Sequence, residues 1–219
     1  MFKPYNLEQG AFLVKLARRA VEEFIKSRRI IKPPEDTPSR LLEDNYGVFT
    51  TIETVKENGT TELRGCIGFP RGNVNTARAT INSALAAAFD DPRFAPLDVN
   101  ELESVVFEVS VLSPLEETRF NSPKELVNSI RVGVHGLVIE RGMYSGLLLP
   151  QVPVEYCWDT VMFLDEACEK AYLRPECWAE KGTRVYTYEA QIFRERRPRG
   201  DVYERDLIEE LKKCHLDEA

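Results

Sequence analysis

The sequence predicts an α+β fold of mostly antiparallel sheet flanked by helices. Three observations carry this: β-prone segments come in pairs joined by turn residues, stretches of helical periodicity separate the pairs, and no strand leads into the glycine fingerprint of a dinucleotide-binding fold. With 219 residues, 43% of them hydrophobic, the chain can bury a sizeable core as one large domain or two intimate ones.

From Gln9 to Ile30, apolar residues at Leu13, Leu16, Ala17, Ala20, Val21, Phe24 and Ile25 follow the 3.6-residue period, and Lys32-Pro33-Pro34 stops the run. This is a long amphipathic helix. Two β-prone segments, 48–55 and 63–69, flank Lys56-Glu57-Asn58-Gly59-Thr60, whose Asn-Gly signals a hairpin. Ala77, Ile81, Ala84, Leu85 and Ala88 mark a small-residue helix suited to close packing on a sheet, and Asp90-Asp91-Pro92 ends it because the residue before proline avoids helical angles. A strand over 105–112 follows. Ser122-Pro123-Lys124-Glu125 has the order of a capping box with proline at the first helical position, opening a short helix to about Ile130. A second hairpin turns at Arg141-Gly142 between 134–140 and 145–149. Val161, Leu164, Ala167, Cys168, Ala171 and Tyr172 form one apolar helix stripe, residues 184–193 alternate as a last long strand, and Asp206 to His215 reads as a closing amphipathic helix.

Composition excludes several classes. The longest uncharged apolar run is Ala84 to Phe89, far short of the ~18 residues of a membrane helix, and the N-terminus shows no signal-peptide pattern, so a soluble cytoplasmic protein is expected. The five cysteines, Cys66, Cys157, Cys168, Cys177 and Cys214, are odd in number, well separated and without a Cys-x-x-Cys pair, so reduced thiols are expected rather than disulfides or a zinc knuckle. The formal charge of -7 works against a nucleic-acid surface. Local exceptions are the stretch from Lys15 to Lys32, with seven basic residues against two acidic, and the cluster Arg194, Arg196, Arg197 and Arg199. Neither carries interleaved aromatics, and both read as solvated faces.

The hairpin's second arm, Leu63-Arg64-Gly65-Cys66-Ile67-Gly68, is unusual for a strand, with two glycines, an arginine and a cysteine. Strict alternation places Arg64 and Cys66 on one face, about 7 Å apart. A guanidinium there would favour the thiolate and lower the Cys66 pKa below its free value of ~8.5, as a nucleophile requires. Gly65 and Gly68 would let a ligand or a second backbone approach. The alternative is structural: cysteine is among the most buried residue types, and the glycines would simply admit the alanine-rich helix.

These residues resemble the signature of the AMMECR domain. Asp90-Asp91-Pro92-Arg93-Phe94, Phe107-Glu108-Val109-Ser110-Val111-Leu112, His135-Gly136-Leu137 and the run Tyr144 to Pro153 are similar to further family segments in family order. The resemblance implies two α+β domains with an interdomain cleft, assigned on this chain to 1–115 plus 182–219 and to 116–181. It implies no established activity. It suggests roles in transcription, repair or translation, and, for prokaryotic members, association with a Memo-like protein and a radical SAM enzyme.

The candidate site is therefore a cleft centred on Arg64 and Cys66. Cys66 and His135 would form a nucleophile–base dyad if brought within ~3 Å; His135 would otherwise be a hydrogen-bonding residue at a hairpin edge. Arg64, Gly65, Gly68, Asp91, Arg93 and Gln151 are the candidate ligand-binding residues. Asp91 to Phe94 reads equally as a helix-terminating turn, and Gln151 as an amide that bonds the backbone. Cys157, Cys168 and Cys177, at spacings of 11 and 9, do not have compact zinc spacing, and no metal or cofactor is expected. The Walker loop, His-Glu-x-x-His and Gly-x-Ser-x-Gly are all missing. Three readings stay open: a thiol-dependent enzyme component using Cys66 with Arg64, a non-catalytic binding module for a small anionic ligand or a protein partner, and nucleic-acid association.

Overall fold

The computed structural model describes residues 1–214. Within them the helices are α1 (Leu7–Ser27), α2 (Ser39–Glu43), α3 (Thr76–Phe89), α4 (Pro123–Ser129), α5 (Val152–Glu155), α6 (Thr160–Lys170) and α7 (Leu207–Cys214). The strands are β1 (Gly47–Val55), β2 (Thr61–Phe69), β3 (Val105–Leu112), β4 (Glu116–Glu117), β5 (His135–Arg141), β6 (Tyr144–Leu148), β7 (Arg184–Glu195) and β8 (Val202–Glu204). The paired strands run antiparallel, as expected of this α+β chain. The described residues form two compact units: the first holds 3–114 and 191–205, the second 1–2, 115–190 and 206–214. The long strand β7 supplies its beginning to the second unit and its end to the first.

In the first unit the strand order is β2-β1-β3-β7, with β8 on the end of β7. Helices α1 and α3 pack on this sheet and on each other. A capping box starts α1: Asn6 Oδ1 accepts the Gln9 N–H, and Gln9 Oε1 accepts the Asn6 N–H. Leu13, Val14, Ala17, Ala20 and Val21 form its buried stripe. The helix stops before the expected prolines because Arg28 turns left-handed (φ 58°) and donates its N–H to the Phe24 carbonyl. An ion pair lies inside this core: Arg18 donates to both carboxylate oxygens of Glu195 at 2.7 and 2.6 Å and to the Leu102 and Val105 carbonyls. Glu195 also accepts the Phe107 N–H, so both ions have hydrogen-bond partners despite burial.

In the second unit β6-β5-β7 form the sheet and β4 takes the other side of β7. Leu126, Leu137, Ile139, Phe163, Leu164, Ala167 and Trp178 build a core between α4, α6 and the sheet. Ser122 caps α4 as expected, its hydroxyl accepting the Glu125 N–H, but Glu125 returns to the Asn121 N–H, one residue earlier than a capping box requires. The expected last helix is α7; His215 lies outside the described residues. The expectation of reduced thiols is corrected. Cys157 bonds Cys214 and Cys168 bonds Cys177, both within the second unit, and Cys66 is the single free thiol. Spacing along the chain concealed these pairs because folding, not sequence proximity, joins Cys157 to a residue 57 positions away. Among the described residues no helix is long and apolar enough to cross a membrane.

Candidate functional site

The unusual strand β2 is the terminal strand of its sheet, and its pairing with β1 contains a bulge. Ile52 lies opposite Gly65 while Glu53 lies opposite Leu63, which leaves Arg64 as the extra residue. A bulge breaks the two-residue alternation. Arg64 accordingly does not share a face with Cys66. Its Nε and Nη2 donate to the Glu101 carboxylate at 2.6 and 3.0 Å, and its guanidinium lies 5.7 Å from the centroid of the Phe94 ring. The Cys66 sulfur instead sits beside Thr51, whose hydroxyl donates to it at 3.2 Å. The expected arginine–thiol pair is thus absent, and the reason is one inserted residue.

The glycines serve different neighbours. A side chain on Gly65 would run into the carbonyl oxygen of Ala87 in α3, so this glycine admits the alanine-rich helix, as one of the two sequence readings held. A side chain on Gly68 would strike the Phe49 ring and the Val48 carbonyl of β1 instead.

Asp91, just past the end of α3, joins the motif to the loop that follows. It is buried, and its carboxylate accepts four donors: the Cys66 N–H at 2.9 Å, the Arg93 N–H at 3.1 Å, and Arg93 Nε and Nη2 at 3.0 and 2.7 Å. Burial disfavours the charged carboxylate, but the donors from Arg93 and Cys66 outweigh it and hold the pKa down at about 2. Among the described strands β2 has a neighbour only in β1, and the Cys66 N–H is satisfied by this carboxylate instead of by a strand. Arg93 is held by two parallel bonds yet its side chain stays 45% exposed, with Nη1 given no acceptor by the described residues, and its guanidinium lies 5.5 Å from the Phe94 centroid. Two arginines, each tied to its own carboxylate, therefore share one aromatic ring.

Cys66 is partly buried, and its loss of solvation pushes the thiol up to about 11. The Thr51 hydroxyl and Arg93 act in the opposite direction, while Glu108 and Asp91 add to the rise. At neutral pH the thiolate fraction is then on the order of 10⁻⁴. Glu108, paired with Arg205 at 2.8 Å and Arg194 at 3.5 Å, and Glu53, paired with Arg194, form a charge network in the same unit.

His135 and Gln151 belong to the second unit. His135 opens β5 opposite Glu189, and its Nδ1 accepts the Arg131 N–H at 3.2 Å, which places the proton of the neutral ring on Nε2. Burial and the nearby Arg131 charge lower its pKa, so the ring is neutral at physiological pH. Gln151 is buried immediately before α5, its main-chain carbonyl accepting the Glu155 N–H. Sequence reading missed Thr51, Phe94 and Glu101. Counting register from the observed facing of Lys56 and Thr60 at the turn, without the bulge, sets Gly65, not Cys66, opposite Thr51. Among the described residues no group of three or more His, Cys, Asp or Glu is placed to hold a metal ion.

The chain is thus an α+β protein whose terminal strand, Leu-Arg-Gly-Cys-Ile-Gly, is held by the aspartate of the Asp-Asp-Pro-Arg-Phe turn. The AMMECR1 family model matches residues 14–193, and the chain belongs to that family. A protein from Caldivirga maquilingensis is 92% identical over 219 residues, covering all of both chains. One from Pyrobaculum islandicum is 56% identical over 214 residues, 98% of this chain and 96% of that one. Among solved structures, the crystal structure of PH0010 from Pyrococcus horikoshii matches with a TM-score of 0.89 at 47% identity, over 93% of this chain and 100% of that one.

Proposed function

We propose that this AMMECR1-family protein is a non-catalytic binding module that recognises the carboxylate or phosphate of a small ligand through Arg93. One observation carries the reading: a buried carboxylate fixes a half-exposed guanidinium through two bonds, and no described residue accepts from its Nη1. Such an arginine is pre-organised, so little side-chain entropy is lost when an anion binds. Phe94 beside it offers an apolar wall to the rest of the ligand. The thiol-enzyme reading loses its motivation, because Arg64 is committed to Glu101 and the Cys66 thiol is protonated at neutral pH. On this proposal a Memo-like protein and a radical SAM enzyme are companions that supply or use the bound ligand.

The test is thermal unfolding with inorganic phosphate, pyrophosphate and citrate as probes. A probe at a hundredfold excess over its Kd stabilises the protein by about 2.7 kcal/mol. The stabilisation is expected in the wild type and in Cys66→Ala, and lost in Arg93→Ala. Stabilisation that persists in Arg93→Ala, or disappears in Cys66→Ala, refutes the proposal.

A further inference from the structure

The two disulfides of the second unit differ in what surrounds them. Cys168 and Cys177 are both fully buried, packed with Phe163, Leu164 and Trp178 in the core. A reductant reaches that bond only when the core opens. Cys157 is exposed and Cys214 partly so, and the peptide at Cys157 lies between the exposed Tyr156 and the half-buried Trp158, whose rings stack at 5.1 Å. Cys157 is moreover left-handed (φ 52°), a conformation that a non-glycine residue holds only when its surroundings impose it.

The bond joins this turn to the last described residue of α7. The first turn of that helix is held on its own account: Asp206 Oδ1 accepts the Ile208 and Glu209 N–H groups, and Leu207 is buried. Toward the other end Lys212 and Lys213 are exposed, Lys212 pairing with Glu209 at the surface, while Leu211 and Cys214 are partly buried. Over its eight described residues the helix has little stability of its own in water, and the disulfide is the covalent tie at its far turn.

We propose that Cys157–Cys214 is a reducible latch on α7, a site of thiol–disulfide exchange with a dithiol reductant, whereas Cys168–Cys177 is a permanent structural bond. The reductant's first thiolate attacks the sulfur of Cys157, the more exposed residue of the pair, forming a mixed disulfide and expelling Cys214 as a thiolate, which takes a proton from solvent. The second thiolate of the reductant then attacks its own sulfur in the mixed disulfide and releases Cys157, which is likewise protonated. The protein disulfide gains two electrons and two protons, and the dithiol leaves as a cyclic disulfide. The last turn of α7 is then free to open while the core stays closed.

The experiment uses the full native chain, treated with increasing dithiothreitol, blocked with iodoacetamide and mapped by peptide mass spectrometry, with circular dichroism recorded alongside. Cys157 and Cys214 are expected to become labelled together and completely, with Cys168 and Cys177 unlabelled and the folded spectrum retained. Trypsin cleavage after Lys212 and Lys213 is expected to accelerate on reduction, and the Cys214→Ser variant to show the same acceleration without reductant. Any of four results overturns the proposal: both pairs opening at one reductant concentration, Cys168 and Cys177 opening first, Cys157 and Cys214 reacting only in denaturant, or a cleavage rate that reduction leaves unchanged.

Discussion

Replacing Gly65 with alanine tests how tightly the motif strand is held against α3. A Cβ at this position would lie well inside 3 Å of the Ala87 carbonyl oxygen and 3.1 Å from its carbonyl carbon, and both atoms are helix backbone that no rotamer change can move. Relief has to come from α3 and β2 separating by roughly 1 Å, a gap that forfeits a quarter to a half of each dispersion contact it opens. The contacts at risk are many, because Ala84, Ala87 and Ala88 are all buried. Overpacking of this kind costs about 1–3 kcal/mol, against a gain of about 0.4–1 kcal/mol from reduced unfolded-chain freedom at positions that tolerate alanine. The expected net effect is destabilisation by about 1–2 kcal/mol, read as a lower urea midpoint with an unchanged slope. A midpoint equal to the wild type's, or higher, refutes the claim that Gly65 exists for helix contact.

The other predictions concern charge and covalent ties. Asp91→Asn removes a carboxylate whose pKa is lowered on folding, so the stability it contributes is present above the unfolded value near 3.8 and lost as pH falls through about 2. The gap between wild type and Asp91→Asn in chemical denaturation is therefore expected to be on the order of 2 kcal/mol at neutral pH and to narrow from pH 4 toward pH 2. Arg18→Met strands Glu195 in the core and is expected to cost about 3–5 kcal/mol by urea denaturation. The Cys157–Cys214 bond spans 57 residues and Cys168–Cys177 spans 9, so loop-closure entropy assigns them about 4 and about 2.5 kcal/mol. Comparing Cys157→Ser/Cys214→Ser with Cys168→Ala/Cys177→Ala by denaturation checks the order, although the buried pair adds a packing loss to its share.

Much of the fold could be read from residue order. The period of Leu13 to Val21, the Asn-Gly turn, the alternation of 184–193 and the proline after Asp91 each act locally, and the elements they specify formed where expected. What escaped was set by contacts distant in sequence. The bulge at Arg64 leaves no mark in composition, yet it decides which face each motif residue occupies, and so separates the arginine from the thiol. Asp91 was legible as the end of a helix, but its fourfold acceptance of Cys66 and Arg93 depends on α3 lying along β2, which only the fold supplies. Short elements such as β8 and α5 carry too few residues for a period to show. The disulfides were misread because partner choice is a tertiary event.

The most direct measurement is the pH dependence of Cys66 alkylation in the native oxidised protein, where the two disulfides leave it as the single free thiol. A binding module with an inert motif cysteine gives an apparent pKa near 11, unmoved by Arg64→Ala because that guanidinium is spent on Glu101. An apparent pKa below ~8.5 that rises in Arg64→Ala would contradict the account and return the motif to thiol chemistry.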